Sequence, residues 1–479
     1  MRVTLLEQNS EVGGRAQSLH VDSCRFDTGP SLLLFPDKYR EAFAALGSAL
    51  EEHVDVQRVQ PAAYRVFFGD NSRLDLLYDV QAMMQQLEAF EAGAGAKYLA
   101  FLAQARAALE MGVDQFIDKD FTGWADLRRL PGLLPLLTRI NLLDLLGQHD
   151  SRLSCYFKDP RLRALFSFQD LYVGLSPYTA PAVFSLLAAT ELTDGVWYPM
   201  GGFGKVRDGL GRAAEACGVV VRTGAEVTHI HSSASGVSGV SLANGEFLPA
   251  DIVVANRDLP AAYPLLRTAY GDAAHAQLAS KQYSAAVISY NWCLDKRADQ
   301  LLHHNVFLSD QYEKSWHRAR SPDQLQDRPN LYIHAPARTD PSAAPAGSDS
   351  IMVLLPVANM QETGTDDYRE LVDAGRDATL RTLQQAGIGN LRPHIKHERV
   401  ISPPEWRQRY ALQHGAAFGM AHGLDQLAVF RPPNKDSKVE GLYFVGASTR
   451  PGNGVPLVLI SARLTAERIL TDYRISVQG

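Results

Sequence analysis

The chain has 479 residues, 46% of them hydrophobic and 21% charged, with a formal net charge of -6. That length and balance suit two compact units sharing one assembly and exclude an extensively disordered chain. The slight acidity gives no global attraction to nucleic acid.

The first element in chain order is residues 3–7, Val-Thr-Leu-Leu-Glu. An apolar run ending on a carboxylate reads as the second strand of a dinucleotide-binding βαβ unit, with Glu7 placed to hold an adenosine ribose hydroxyl. In such a unit the glycine-rich phosphate loop lies about 20 residues before that acid, so the first strand and its loop are expected ahead of Met1. Gly13, Gly14 and Arg15 follow, then a small-residue turn at 26–31 that includes Pro30 and Ser31. Paired glycines let backbone approach a ligand closely, and Arg15 offers a fixed cation to a pyrophosphate. The plainer counterpart is a tight surface turn with a solvated arginine. Residues 1 to about 60 read as alternating strand and turn.

From about 80 to 190 the pattern is helical, amphipathic at 98–116 and apolar at 162–168. Residues 130–147 carry leucines at helical spacing behind Arg128 and Arg129, interrupted by Arg139 and Asp144. Two readings stand: an interfacial patch whose cations meet lipid headgroups, and a buried helix pair broken by Pro131 and Pro135. No apolar run reaches the ~20 residues of a membrane-spanning helix. Residues 197–204 turn into a helix that runs to Cys217, strands follow at 219–223 and 226–231, and Asn244 with Gly245 forms a hairpin dipeptide. Residues 250–256 read as a buried strand returning to the nucleotide-binding sheet. Between 260 and 410 apolar strands at 285–292 and 351–356 alternate with amphipathic helices, and 340–349 reads as a short polar loop. At 441–456 an apolar strand enters a Gly/Pro-rich turn, followed by a helix to about Leu470, a pattern suited to a loop closing against a flavin.

The chain therefore crosses more than once between a nucleotide-binding part, residues 1–60, 195–260 and 415–479, and an inserted part, 61–194 and 261–414. Cys24, Cys155, Cys217 and Cys293 are far apart and form no C-x-x-C pair, so four reduced and mostly buried thiols are expected. His303 and His304 are adjacent, but no histidine pattern has metal-ligand spacing, and no metal site is suggested.

These motifs together resemble the phytoene desaturases of the bacterial and fungal type, flavoproteins of the carotenoid pathway. The likeness spans essentially the whole chain, through residues 3–7, 26–34, 198–203, 250–256, 340–345 and 444–456, the last being the most specific. It implies an α/β fold: a Rossmann-like FAD-binding domain of the amine-oxidase and glutathione-reductase type, N-terminally truncated, with an inserted α+β substrate domain. It also implies FAD, phytoene as apolar polyene substrate, peripheral membrane contact in a cytoplasmic or organellar setting, and stepwise desaturation toward neurosporene, lycopene or a further product. Self-association and a lost targeting segment are left open.

Carried over by resemblance, Glu7 holds the ribose, Gly13, Gly14 and Arg15 approach the pyrophosphate with Pro30 and Ser31 nearby, and the Val227 backbone meets the adenine. Gly446, Ala447, Val455 and Pro456 lie beside the isoalloxazine ring. Asp159 matches a proposed acid or base, with Arg163 one helical turn on. Against that, Asp159 precedes Pro160 at a helix start, where a capping carboxylate with an i, i+4 arginine needs no catalytic role. Phe166, Phe168, Tyr172, Trp197 and Tyr198 are candidates to line a polyene channel. Two alternatives remain: a related carotenoid isomerase or retinol saturase, and a flavin-free remnant that binds an apolar ligand.

Overall fold

The computed structural model describes residues 1–120 and 147–475. Residues 130–146 of the leucine-rich segment, with Arg128 and Arg129, lie outside the described residues.

Strand β1 (Thr4–Leu6) is followed by a hairpin of β2 (Ser18–Val21) and β3 (Cys24–Asp27), helix α1 (Pro36–Ala45), and β4 (Val56–Arg58), β5 (Ala62–Phe68) and β6 (Arg73–Leu77). Helices α2 (Val80–Phe90) and α3 (Ala94–Gly112) come next, then β7 (Trp197–Pro199), α4 (Phe203–Ala216), β8 (Val220–Arg222), β9 (Val227–Ser233), β10 (Gly236–Leu242), β11 (Phe247–Pro249) and β12 (Val253–Ala255). Strands β13 (Ala286–Leu294), β14 (His304–Leu308), β15 (Leu331–His334) and β16 (Asp349–Val357) precede α5 (Arg369–Gln385). Finally β17 (Ile395–Ile401), β18 (Leu442–Phe444) and α6 (Val455–Asp472) complete the chain.

The largest sheet has seven strands in the order β17-β13-β16-β15-β14-β5-β6. Only β14 and β5 pair in parallel within it. All nine residues of β13 are buried, as a central strand covered on both faces requires. Alternation along β5 sorts its side chains: Val66 and Phe68 join a core with Met83 and Phe101, whereas Phe67 joins another with Ile288, Trp292 and Leu383. Helix α2 starts where Asp79 accepts from the Ala82 amide at 2.7 Å.

The nucleotide-type strands are shorter. Strand β1 pairs in parallel with β8, and β12 with β18. Leu5, Val220 and Val254 on these pairs are exposed. The β9-β10-β11 meander turns at Gly245, φ 87°, as its Asn-Gly dipeptide predicts.

Two expectations need correction. Cys24 and Cys293 form a disulfide between β3 and β13, and Cys155 and Cys217 are free but exposed. The bridged pair is 269 residues apart in sequence, a proximity that only the tertiary fold creates. The stretch 1–60 contains a ten-residue helix, α1, opened by Pro36 at its first turn. The polar loop at 340–349 packs inward through Asp340, which is buried and ion-paired with Arg25 at 2.6 Å. Among the described residues no helix is long and apolar enough to cross a membrane.

Candidate active site

Several loops converge at the ends of the nucleotide-type strands. Glu7 follows β1, and its Oε1 accepts from both the backbone amide and the side-chain amide of Asn9 at 2.8 Å. Gly13 has φ 101°, and a Cβ there would fall 2.3 Å from Arg207 Cδ; Gly14 has φ 53° with open space beside it. The next residue, Arg15, is half-buried and donates to the Ala417 carbonyl at 2.5 Å. Burial lowers its pKa while Asp258 opposes that shift. Gly29 packs so closely that a Cβ would sit 2.3 Å from the Arg15 carbonyl oxygen, which fixes the 13–15 loop against the turn bearing Pro30 and Ser31.

Asp258 also accepts from Ser448, which brings the C-terminal loop to the same place. Gly446, φ 123°, faces Asn256 Nδ2 at 3.1 Å from its would-be Cβ. Arg431, buried and with its pKa pushed down to about 10 by desolvation, donates to the carbonyls of Thr449 at 3.0 Å and Ala447 at 2.5 Å. Arg450 donates in turn to the Arg431 and Val429 carbonyls at 3.0 and 2.7 Å. Asn453 ties the loop to the inserted part, donating to Tyr172 O at 2.7 Å and Phe418 O at 3.1 Å. Val455 and Pro456 then open α6 behind Gly454, whose Cα also borders open space. Val227 starts β9, half-buried and paired with Leu242.

These features fit a flavin dinucleotide. An acid follows a parallel strand, a cation sits among positive-φ glycines, open space borders Gly14 and Gly454, and the N-terminal end of α6 carries partial positive charge.

A second group lies between the β2–β3 hairpin, the 197–203 turn and the large sheet. Asp27 is buried and accepts from Tyr198 Oη and the Phe203 amide, both at 2.8 Å. Burial pushes its carboxyl up to about 6. Ser31 Oγ lies 2.8 Å from Tyr332 Oη, which lies 2.7 Å from His304 Nδ1. His303 and His334 approach Nε2 to Nε2 at 3.0 Å, and His303 Nδ1 is 2.6 Å from Thr339 Oγ1. All three imidazoles are fully buried, and desolvation drives their pKa values well below the usual histidine range, so they are neutral. Their Coulombic neighbours include Arg25 and Arg338, and among the described residues no carboxylate bonds to any of them. The two arginines are themselves paired with Asp340 and Asp349, and the three imidazole ligand atoms lie within 4.8 Å of one another. Sequence spacing could not join His334 to His303 and His304; the β14–β15 pairing does, with His304 opposite His334.

Further along the same face, Glu191 is fully buried. Its Oε1 accepts from Tyr64 Oη at 2.8 Å and its Oε2 from Gln169 Nε2 at 3.0 Å. Burial pushes its carboxyl up to about 7. Tyr64 Oη is 3.1 Å from Tyr172 Oη. Tyr172 and Phe168 line an apolar cavity of about 80 Å³ together with Ala285, Val306, Leu308 and Tyr332. That volume is well below the roughly 300 Å³ at which small-molecule pockets begin.

Of the other aromatic candidates, Phe166 stacks within a cluster of Phe101, Phe157 and Tyr98, Tyr198 belongs to the Asp27 group, and Trp197 donates to Asp194 O at 3.0 Å. Asp159 caps the helix Pro160–Leu165, accepting from the Arg161 amide at 2.8 Å. The i, i+4 pair expected with Arg163 does not form: Asp159 pairs with Arg161 at 2.6 Å, and Arg163 with Asp150 at 3.6 Å. The intervening Arg161 is nearer because its guanidinium folds back over the cap. Neither Asp159 nor Arg163 lines the cavity.

The profile of the family described as flavin containing amine oxidoreductase matches residues 1–470. A phytoene desaturase of Fusarium fujikuroi is 36% identical over 495 residues, covering 98% of this chain and 85% of its own. A zeta-carotene-forming phytoene desaturase of Myxococcus xanthus is 36% identical over 474 residues, covering 98% and 89%. The crystal structure of an oxidoreductase from Methanosarcina mazei superposes with a TM-score of 0.65 at 16% identity, covering 97% and 94%, a likeness of fold alone.

Proposed function

Since the chain belongs to the flavin containing amine oxidoreductases, in their carotenoid desaturase group, we propose that it is an FAD-dependent desaturase of phytoene. The observation that carries this reading is the convergence at Asn453. A flavin-side loop, residues 446–456, is tied through that amide directly to Tyr172, a wall of the apolar cavity. Cofactor and hydrocarbon then meet at one place.

A bound FAD would supply the hydride acceptor for an allylic carbon of the polyene. Glu7 binds the ribose, Gly13 and Gly14 admit the pyrophosphate, and Arg15 neutralises part of its charge, with Pro30 and Ser31 beside it. The Val227 backbone meets the adenine. Gly446, Ala447, Val455 and Pro456 seat the ring, held from behind by Arg431 and Arg450. Phe168, Tyr172 and Leu308 orient the chain of the substrate and exclude water. Contact with a bilayer, where such a substrate dissolves, belongs to the same proposal.

Expression in phytoene-accumulating bacteria tests it, with pigments separated by chromatography and the flavin released from purified protein identified the same way. FAD in the protein and coloured carotenoids in the cells are expected. A flavin-loaded protein that leaves phytoene intact overturns the desaturase reading and moves the search to another polyene.

A further inference from the structure

We propose that Glu191 is the terminal proton acceptor of the desaturation, reached from the cavity through the hydroxyls of Tyr172 and Tyr64. The inference rests on the desaturase reading and extends it to the half of the reaction that a flavin does not serve.

Making a double bond removes two hydrogens. One C–H bond leaves as hydride, taken up by the flavin. The neighbouring C–H bond gives its electron pair to the new π bond and releases a proton, which needs a base within reach of a mostly apolar cavity whose lining also includes His317, Arg318, Gln324, Gln326 and Asn330. Asp159, capping a helix and paired with Arg161, is not in that wall.

Glu191 has the required placement. Tyr64 Oη donates to its Oε1 at 2.8 Å, so the Tyr64 oxygen is left to accept, and Tyr172 Oη at 3.1 Å is the donor to it. Both O–H bonds then point toward Glu191, and a lone pair of Tyr172 is left at the cavity end. A proton arriving on Tyr172 displaces its own proton to Tyr64, whose proton passes to the carboxylate. Both tyrosines end neutral, Glu191 ends protonated, and the flavin holds the hydride, so charge and electrons balance. Tyr172 is also the residue whose carbonyl is held by Asn453 of the flavin-side loop. That bond is to the backbone of the residue whose side chain begins the relay.

The local chain supports a special role. Glu191 sits in a π-helical turn, Thr190–Asp194, and such turns occur frequently at functional sites. The groups facing it are Gln169 and Tyr172 from the turn at 168–173, Tyr64 from β5, Tyr78 after β6, and Tyr332 from β15. Arg58 stacks over Tyr78, 3.8 Å from the ring centroid. The hydrogen bonds to Glu191 come from neutral donors, Gln169 and Tyr64, and with no ion pair among the described residues to hold it charged the carboxyl is pushed up to about 7, where a base is both available and able to release its proton.

A purely structural glutamate would tolerate Glu191→Gln, which keeps the shape and the Tyr64 hydrogen bond, and keeps the Gln169 contact once the Gln169 amide turns its unpartnered oxygen toward it. The test compares wild type, Glu191→Gln and Tyr172→Phe as flavin-loaded proteins on phytoene in liposomes, recording flavin content, melting temperature and the pH profile of product formation. The expected result is a loss of about 100-fold or more in both variants, unchanged flavin content, and a wild-type acid limb near neutrality that Glu191→Gln abolishes. Product formation by Glu191→Gln or Tyr172→Phe within threefold of wild type overturns the relay while leaving the desaturase reading intact. A flavin-loaded wild type inert toward phytoene instead overturns the desaturase reading, and the relay falls with it. Should Glu191→Gln fold poorly, Tyr172→Phe decides, because it leaves Glu191, Gln169 and Tyr64 in place.

Discussion

The flavin-side loops and the buried face of the large sheet hold their polar groups by opposite means. Around Arg15, Gly446 and Asn453 the side chains bind backbone carbonyls, and glycines make room, so the loops are shaped to receive something. Around Asp27, Glu191 and the three histidines, polar side chains bind one another with no space between them. Burial dominates there, raising carboxyl and lowering imidazole pKa values together. The first region ties side chains to backbone and leaves space beside Gly14 and Gly454, and the second is a polar interior whose charge states are set by desolvation.

Breaking the second region should cost stability most. Arg25→Ala leaves Asp340 buried without its cation, and a loss of about 3–5 kcal/mol is expected in chemical denaturation. A loss under 1 kcal/mol would mean that water, together with the Ser342 hydroxyl and Gly201 amide that already donate to Asp340, suffices without the cation.

A gentler probe uses pH. The folded-state carboxyl of Glu191, at about 7, lies above its ordinary value of 4.5. The native state therefore holds a proton that the unfolded chain releases between those values, and stability falls as pH rises through that window. Wild type should lose on the order of 2–3 kcal/mol more than Glu191→Gln between pH 4.5 and 7.5. Parallel denaturation curves across that range would show that Glu191 is not the buried acid described here.

In the first region the cost should fall on the cofactor instead. Gly29→Ala forces a Cβ onto the Arg15 carbonyl, so flavin affinity should drop roughly tenfold, about 1.4 kcal/mol, alongside a lower melting temperature of the flavin-free protein. Equal flavin affinity in the variant would separate the 13–15 loop from the cofactor. Smallest is Asp159→Ala, which removes a helix cap and should cost about 1 kcal/mol. A cost near zero would show that Arg161 and Glu91 hold that helix start unaided.

The contrast also explains what the sequence made legible. Glu7, the Gly13–Gly14 pair and the 444–456 turn are local signals, because a strand-ending acid or a positive-φ glycine is specified by its immediate neighbours. The hairpin at Asn244 and the buried strands β13 and β16 were readable for the same reason. Long-range pairings were not. Cys24 meets Cys293, His334 meets His304, and Arg431 reaches the 447–449 carbonyls only once the sheet and loops are assembled. Helix α1 was missed because its apolar positions, Tyr39 and Phe43, are too few to mark a period amid charged neighbours. Glu191 carries no motif at all; its meaning comes from Tyr64, 127 residues earlier.

The most direct measurement is anaerobic addition of phytoene in liposomes to the flavin-loaded protein, following the visible flavin absorbance and phytoene consumption together. The account predicts bleaching of the flavin in step with loss of phytoene, one equivalent for each double bond formed. A flavin that dithionite bleaches but phytoene leaves fully oxidised would contradict it.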